Sequence, residues 1–252
     1  MDETLLSRVE DASLNASAPT QQLWLDGWLV RTCPGKARRA RSINPVAPGR
    51  MPLVDKLALA AEVYRAAGLP MVLRLTRFSL PADLDQGLAA LGYTQTDTTR
   101  VKTLAALPRR VDPPLPAGLH WDTLPASEFA EAVGVLRGSP PQQRWAHAQR
   151  LAHSPVPYHG HVIRRHDDGA VLACGQVARE AELVGVYDVF THPGARGQGL
   201  AHLLCERMLS LSAQQGAKTA YLQVEAGNAA ADAVYQRLGF VDAYTYHYRE
   251  AP

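Results

Sequence analysis

Twenty consecutive residues, Leu183–His202 (LVGVYDVFTHPGARGQGLAH), restrict the folds open to this chain. Val184–Phe190 is an apolar run rich in valine and aromatics and reads as a buried strand. His192, Pro193 and Gly194 break it. From Gly199 onward, Leu200, Leu203, Leu204, Met208 and Leu211 recur at helical spacing. A strand that turns tightly into a helix leaves the first amides of that helix without internal acceptors. With the helix dipole they form a site for an anion, phosphate above all. Gly197 and Gly199 remove side chains that would hold a phosphate away from the backbone, and Arg196 adds a fixed charge. No Gly–Lys–Ser/Thr follows, so this is not a nucleotide P-loop. The spacing of Gly194, Gly197 and Gly199 does not match the dinucleotide G-x-G-x-x-G.

Two patterns sharpen the reading. The loop contains Arg-x-x-Gly-x-Ala, from Arg196 through Gly199 to Ala201. Further on, Asn228, Ala231, Tyr235, Gly239 and Phe240 form Asn-x-x-Ala-x-x-x-Tyr-x-x-x-Gly-Phe. Together they resemble the two signatures of the GCN5-related N-acetyltransferases (GNAT). The predicted order over Leu119–Glu250 is β-α-α-β-β-β-α-β-α-β, which is similar to that family's fold: α/β (α+β), a mixed sheet flanked by helices. The resemblance implies acetyl-CoA as cosubstrate and transfer of its acetyl group to a primary amine of a small molecule, amino acid or peptide by direct attack. It places the diphosphate on Arg196, Gly197, Gln198, Gly199, Leu200 and Ala201. It runs the pantetheine arm along Val189, Phe190 and Thr191, which requires the strand carrying them to splay from its neighbour. Asn228 and Tyr235 complete the cofactor site, and Tyr235 is the expected proton donor to the departing sulfur. Asp188 and Glu225 are the candidate bases. Each also reads simply as a solvated or hydrogen-bonded carboxylate, Asn228 as a plain helix cap and Tyr235 as a core aromatic. The alternative function is an acetyl-CoA-binding regulatory protein without turnover.

Bulk properties bound these readings. A formal net charge of +2 over 252 residues gives no case for a nucleic-acid partner. Lys36, Arg38, Arg39 and Arg41 form a short basic cluster that reads as a solvated face. Cys33, Cys174 and Cys205 are odd in number and widely spaced, so no disulfide framework or metal site is expected and the compartment reads as cytoplasmic. Met1–Pro19 is acidic and polar, unlike a signal peptide, and no apolar stretch approaches the ~20 residues of a membrane span. A homodimer is left open.

The first half reads as strands over Leu23–Arg31 and Ala40–Val46, a helix over Leu53–Ala67, a strand over Met71–Thr76, a helix over Asp83–Leu91 and a strand over Thr94–Leu104. Leu91-Gly92-Tyr93 echoes Leu238-Gly239-Phe240 in position and type, which suggests a diverged repeat. The expected division is a degenerate GNAT-like domain at 1–110, a proline-rich linker at 111–118 and a catalytic domain at 119–252. The segment before the first half's helix, Asn44–Met51, has prolines where a phosphate needs amides, so this half is expected to have lost cofactor binding.

Overall fold

The structure is a computed structural model; it describes residues 2–34, 37–108 and 114–251. Lys36 of the basic cluster and residues 111–113 of the expected linker lie outside the described residues. The chain divides into two compact units, one made of Met1–Ala16 and Val101–Ala243, the other of Ser17–Arg100 and Tyr244–Pro252.

The larger unit begins with α1 (Glu3–Ala16), a helix that the polar composition of the N-terminus concealed. Leu6, Val9, Ala12, Ser13 and Ala16 recur at helical spacing and are buried. Its polar side is tied down by Arg8 to Glu182 and by Asn15 to Glu180, both at 3.0 Å. Five strands follow in antiparallel and parallel array: β6 (Leu119–Leu124), β7 (Tyr158–Arg165), β8 (Val171–Glu180) and β9 (Leu183–Thr191) pair antiparallel in sequence. β10 (Thr219–Glu225) then pairs parallel to β9. The end of β5 (Thr94–Leu104) belongs to this unit and neighbours β10.

Helices cover both faces of this sheet. On one, α4 (Ala126–Leu136) and α5 (Pro141–Ala152) bury Phe129, Val133 and Leu151 against Val162 and Cys174. Pro125 precedes α4, whose first residue is Ala126, and no side chain caps it. On the other face, α6 (Leu200–Gln214) and α7 (Ala229–Arg237) pack Leu204, Met208 and Tyr235 onto Val184, Val186, Ala220 and Leu222. Each such side chain contributes about 1.5–3 kcal/mol on burial.

The smaller unit repeats part of this plan. Asp26 and Gly27, at φ 43° and 86°, make the tight turn between β1 (Gln22–Leu25) and β2 (Trp28–Arg31), so Leu23–Arg31 is a hairpin. β3 (Ile43–Pro45) pairs antiparallel with β2 and parallel with β4 (Val72–Thr76), which it reaches through α2 (Leu53–Ala66). α3 (Leu84–Ala90) leads into β5. The β3–α2–β4 crossover matches β9–α6–β10 in kind. β4 is paired antiparallel by residues 246–250 of β11 (Val241–Glu250), the last strand of the whole chain. The compact units therefore cross the sequence boundary between the two halves: α1 and the end of β5 go one way, residues 244–252 the other. Arg38 and Arg39 are not a solvated face. Arg38 is engaged by Asp97 and Glu250 and stacks 4.3 Å from the Tyr248 ring, and Arg39 donates to the Tyr246 hydroxyl at 3.1 Å.

Candidate active site

β9 and β10 part company where the signature loop begins. Their parallel pairing runs from Leu183 opposite Thr219 to Val186 opposite Leu222 and stops there. β9 continues to Thr191 and β10 to Glu225 without further partners between them. Two devices hold β9 at the point of separation. Gly185 lets the Tyr187 and Tyr221 rings lie against the backbone; a Cβ there would meet Tyr187 atoms at 2.5 Å. The two hydroxyls are hydrogen-bonded, Tyr187 donating to Tyr221 at 2.9 Å. Asp188, at φ 51°, then forms a bulge: Cys174 opposes Phe190 while Gln176 opposes Tyr187, so β9 carries an extra residue. Strict alternation of Tyr187 and Asp188 across the strand is lost there.

After Thr191 the chain makes a short 3-10 turn over Pro193–Ala195, where the His192 ring accepts the Gly194 amide at 3.1 Å. Gly197 and Gly199 both adopt left-handed φ, 77° and 76°, and a Cβ on either would point into open space. Gly199 is the residue from which α6 starts. The amides from Gly197 to His202 donate to no acceptor among the described residues; the first helical bond is Leu203 to Gly199 at 3.0 Å. Six donors thus lie together at the positive end of a fifteen-residue helix. The Arg196 side chain turns to the end of β9, its Nε 3.4 Å from the Thr191 carbonyl and its guanidinium 5.6 Å from the Phe190 ring.

These elements line a cleft of about 1010 Å³, as large as the upper end of small-molecule sites. Of the residues expected from sequence, Val189, Phe190, Thr191, Arg196, Gly197, Gly199, Leu200, Ala201, Asn228 and Tyr235 all line it. Gln198 and Glu225, at the end of β10, are exposed and outside it, and the half-buried Asp188 does not line it either. Asn228 caps α7, its Oδ1 accepting the Ala231 amide at 3.1 Å. α7 is tethered by Lys102, whose buried ammonium lies 2.8 Å from both Asp232 and Asp242. Tyr235 on this helix is buried, lines the cleft and packs edge-on against Phe240, ring centroids 6.0 Å apart. Burial pushes its phenol well above the ordinary range, and Cys205 beside it adds to the rise. Burial likewise pushes the Cys205 thiol up to about 12.

Asp188 sits apart from the cleft as the hub of a polar cluster. Gln176 Nε2 donates to it at 2.6 Å, Arg137 at 2.9 Å, and His147 Nε2 lies 3.3 Å away. Burial opposes the charge, but His147, Arg137 and Arg150 outweigh it and hold the carboxyl well below the usual carboxylate range. A carboxylate so held has little tendency to take a proton near neutrality. Arg137, His147 and Gln176 had no motif to mark them: they lie on α4's end, α5 and β8 and meet only in three dimensions. Among the described residues no group of three or more His, Cys, Asp or Glu could hold a metal ion, and no helix is long and apolar enough to cross a membrane.

The smaller unit has the corresponding loop but fills it itself. At the start of α2, the Asp26 carboxylate accepts the amides of Arg50 at 2.9 Å and Met51 at 2.8 Å and pairs with Lys56 at 2.9 Å. Gly49 is needed for this approach; a Cβ there would meet Asp26 Oδ2 at 2.4 Å. The chain's own carboxylate occupies the place an external anion would take.

Comparison with known proteins decides the family. Residues 120–240 match the model described as the acetyltransferase (GNAT) family. That stretch is a GNAT acetyltransferase domain. Residues 6–115 match a second model, described as the C-terminal part of the probable histone acetyltransferase Rv0428c. The uncharacterized N-acetyltransferase YobR of Bacillus subtilis is 25% identical over 224 residues, 88% of this chain and 89% of that protein. A mycothiol acetyltransferase of Streptomyces scabiei is 51% identical over 65 residues, 25% of this chain and 21% of its own length. Among solved structures, a GCN5-related N-acetyltransferase from Kribbella flavida superposes with a TM-score of 0.70 at 20% identity, over 98% of this chain and 95% of that one. A tandem GNAT protein from the clavulanic acid biosynthesis pathway gives 0.63 at 19% identity, over 82% and 73%. The fold of the GNAT domain is the mixed sheet flanked by helices described above, and the chain carries ahead of it the region matched by the Rv0428c model.

Proposed function

We propose that the protein transfers the acetyl group of acetyl-CoA to a primary amine of a small molecule, amino acid or peptide. The observation that carries this is the row of unpaired amides from Gly197 to His202 at the edge of a cleft that ends on Tyr235. A diphosphate fits such a row, because it supplies acceptors to the donors and charge to the helix end. Glycines with open space above them admit it without contact from a side chain. When bound, acetyl-CoA supplies a thioester whose carbonyl accepts an amine and whose sulfur leaves as a thiolate. The unpaired edge of β9 at Val189–Thr191 orients the arm leading to it.

Tyr235 then supplies the proton. As the nitrogen–carbon bond forms and the carbon–sulfur bond breaks, its hydroxyl protonates the sulfur, and the proton released by the nitrogen restores the phenol. A raised phenol is a weak acid, but a thiolate in the same apolar surroundings is also a stronger base than in water, because burial disfavours the charged form of both, as it does for the Cys205 thiol. The acid and the leaving group remain matched. Asp188 serves as a fixed anchor of the bulge. Glu225, outside the cleft, is at best linked to it through solvent.

The test is release of free thiol from acetyl-CoA by the full chain in the presence of a panel of amines. Amine-dependent release is expected. Binding of acetyl-CoA with no release for any amine would favour the non-catalytic reading.

A further inference from the structure

The gap between β9 and β10 opens toward α6 and α7 on one face and toward α4 and α5 on the other. On the second face there is more positive charge than Asp188 can balance. Its carboxylate accepts from Gln176 and Arg137, lies 3.3 Å from His147 and feels the charge of Arg150. Arg150 is spent elsewhere, with one N–H 3.5 Å from the Ala16 carbonyl and its guanidinium 5.7 Å from the Tyr158 ring. Arg137 is not. Among the described residues it makes a single side-chain hydrogen bond, to Asp188, and about a third of its side chain is exposed. Its guanidinium lies 5.6 Å from the ring of Phe190, which lines the cleft together with Tyr235. An incompletely used guanidinium therefore stands against a ring that lines the proposed acetyl-CoA cleft.

Resting on the acetyl transfer proposed above, we infer that the acceptor is a small primary amine that carries a carboxylate, and that Arg137 grips that carboxylate. A planar fork of N–H groups suits a carboxylate and binds it with two parallel bonds where an ammonium would bind it with one. The same local surplus of cations favours the neutral form of the incoming amine, which is the form that attacks. Asp188 and Phe190 fix the guanidinium in place, so the selectivity follows from a residue that the bulge itself positions.

The experiment compares matched acceptors, alanine against alaninamide and β-alanine against its amide, in acetyl-CoA-dependent thiol release. In the wild-type protein the acid of each pair should be favoured in kcat/KM by roughly tenfold or more, the worth of a hydrogen-bonded charge pair. Arg137→Gln should collapse that ratio toward one, mainly through the KM of the acid, and Arg137→Lys should keep part of it. A merely structural role would lower both members of a pair and leave the ratio unchanged. The inference is overturned if wild-type protein treats the amides as well as or better than the acids, or if the ratio survives in Arg137→Gln. Should Arg137→Gln fail to fold, the wild-type ratio decides. If uncharged or basic amines release thiol while the acids do not, the inference fails and acetyl transfer stands; if no amine does, both fall.

Discussion

At the scale of single residues, the proposed transfer rests on Tyr235. It is buried against the cleft, on a helix whose start is capped by Asn228 and whose flank is held by Lys102. Tyr235→Phe removes one oxygen and leaves the ring that packs on Phe240. Turnover should fall by ~10²-fold or more, the usual scale for losing a positioned proton donor, while acetyl-CoA affinity measured by calorimetry is unchanged. Unaltered steady-state turnover in this variant would take Tyr235 out of the reaction. The cleft-lining residues were legible in the sequence because each belongs to one of two contiguous motifs, and the loop's glycines announced their left-handed backbone. Arg137, His147 and Gln176 were not, because three separate elements deliver them to the bulge. The bulge itself was hidden for a related reason: period-two reasoning assumes an unbroken strand, and nothing in Tyr187-Asp188-Val189 marks the extra residue.

At the scale of elements, the two helix starts make an internal control. α6 begins with open glycines and free amides, α2 with amides already taken by Asp26. Proline content suggested that the first half had lost its anion site; the operative device is a carboxylate twenty-four residues upstream of Arg50 in the chain, which no local pattern could reveal. Amide hydrogen exchange tests it. In Asp26→Ala the amides of Arg50 and Met51 should exchange faster, with unchanged rates at Gly197–His202; equal protection in the variant would mean that Asp26 does not hold the loop. The pH dependence has a definite sign. The amides of Met51 and Arg50, with Lys56, lower the Asp26 pKa to about 2 from an ordinary 3.8. Its contribution to stability is therefore fully present above about pH 4 and is lost as pH falls toward 2. Helix α1 shows the opposite kind of concealment. Its apolar stripe is legible once sought, but acidic and polar residues between the apolar ones gave the segment the look of a solvated tail.

At the scale of the whole molecule, sequence order and compact units diverge. The helices and strands were largely legible from periodicity and from glycines at helix ends. Their grouping was not, since pairing between strands far apart in sequence leaves no local mark. Residues 244–252 follow the stretch matched by the GNAT family and yet belong to the smaller unit, where β11 pairs with β4. Tyr244, Tyr246 and Tyr248 are buried there, with the Arg74 guanidinium 3.9 Å from the Tyr246 ring. Losing three such side chains, at about 2 kcal/mol or more each, removes much of the 5–15 kcal/mol that keeps a domain folded. Deleting residues 244–252 should therefore abolish exchange protection in β4 and α2. Retained protection there would show that the smaller unit does not need the exchanged strand.

The proposed acetyl transfer requires the loop at Gly197–His202 to seat a diphosphate. Hydrogen exchange of these six amides, measured with and without saturating acetyl-CoA, addresses it most directly. Marked protection at Gly197–His202 on binding, with little change at Arg50 and Met51, is the predicted result. Acetyl-CoA that binds while those amides exchange as freely as before would contradict it.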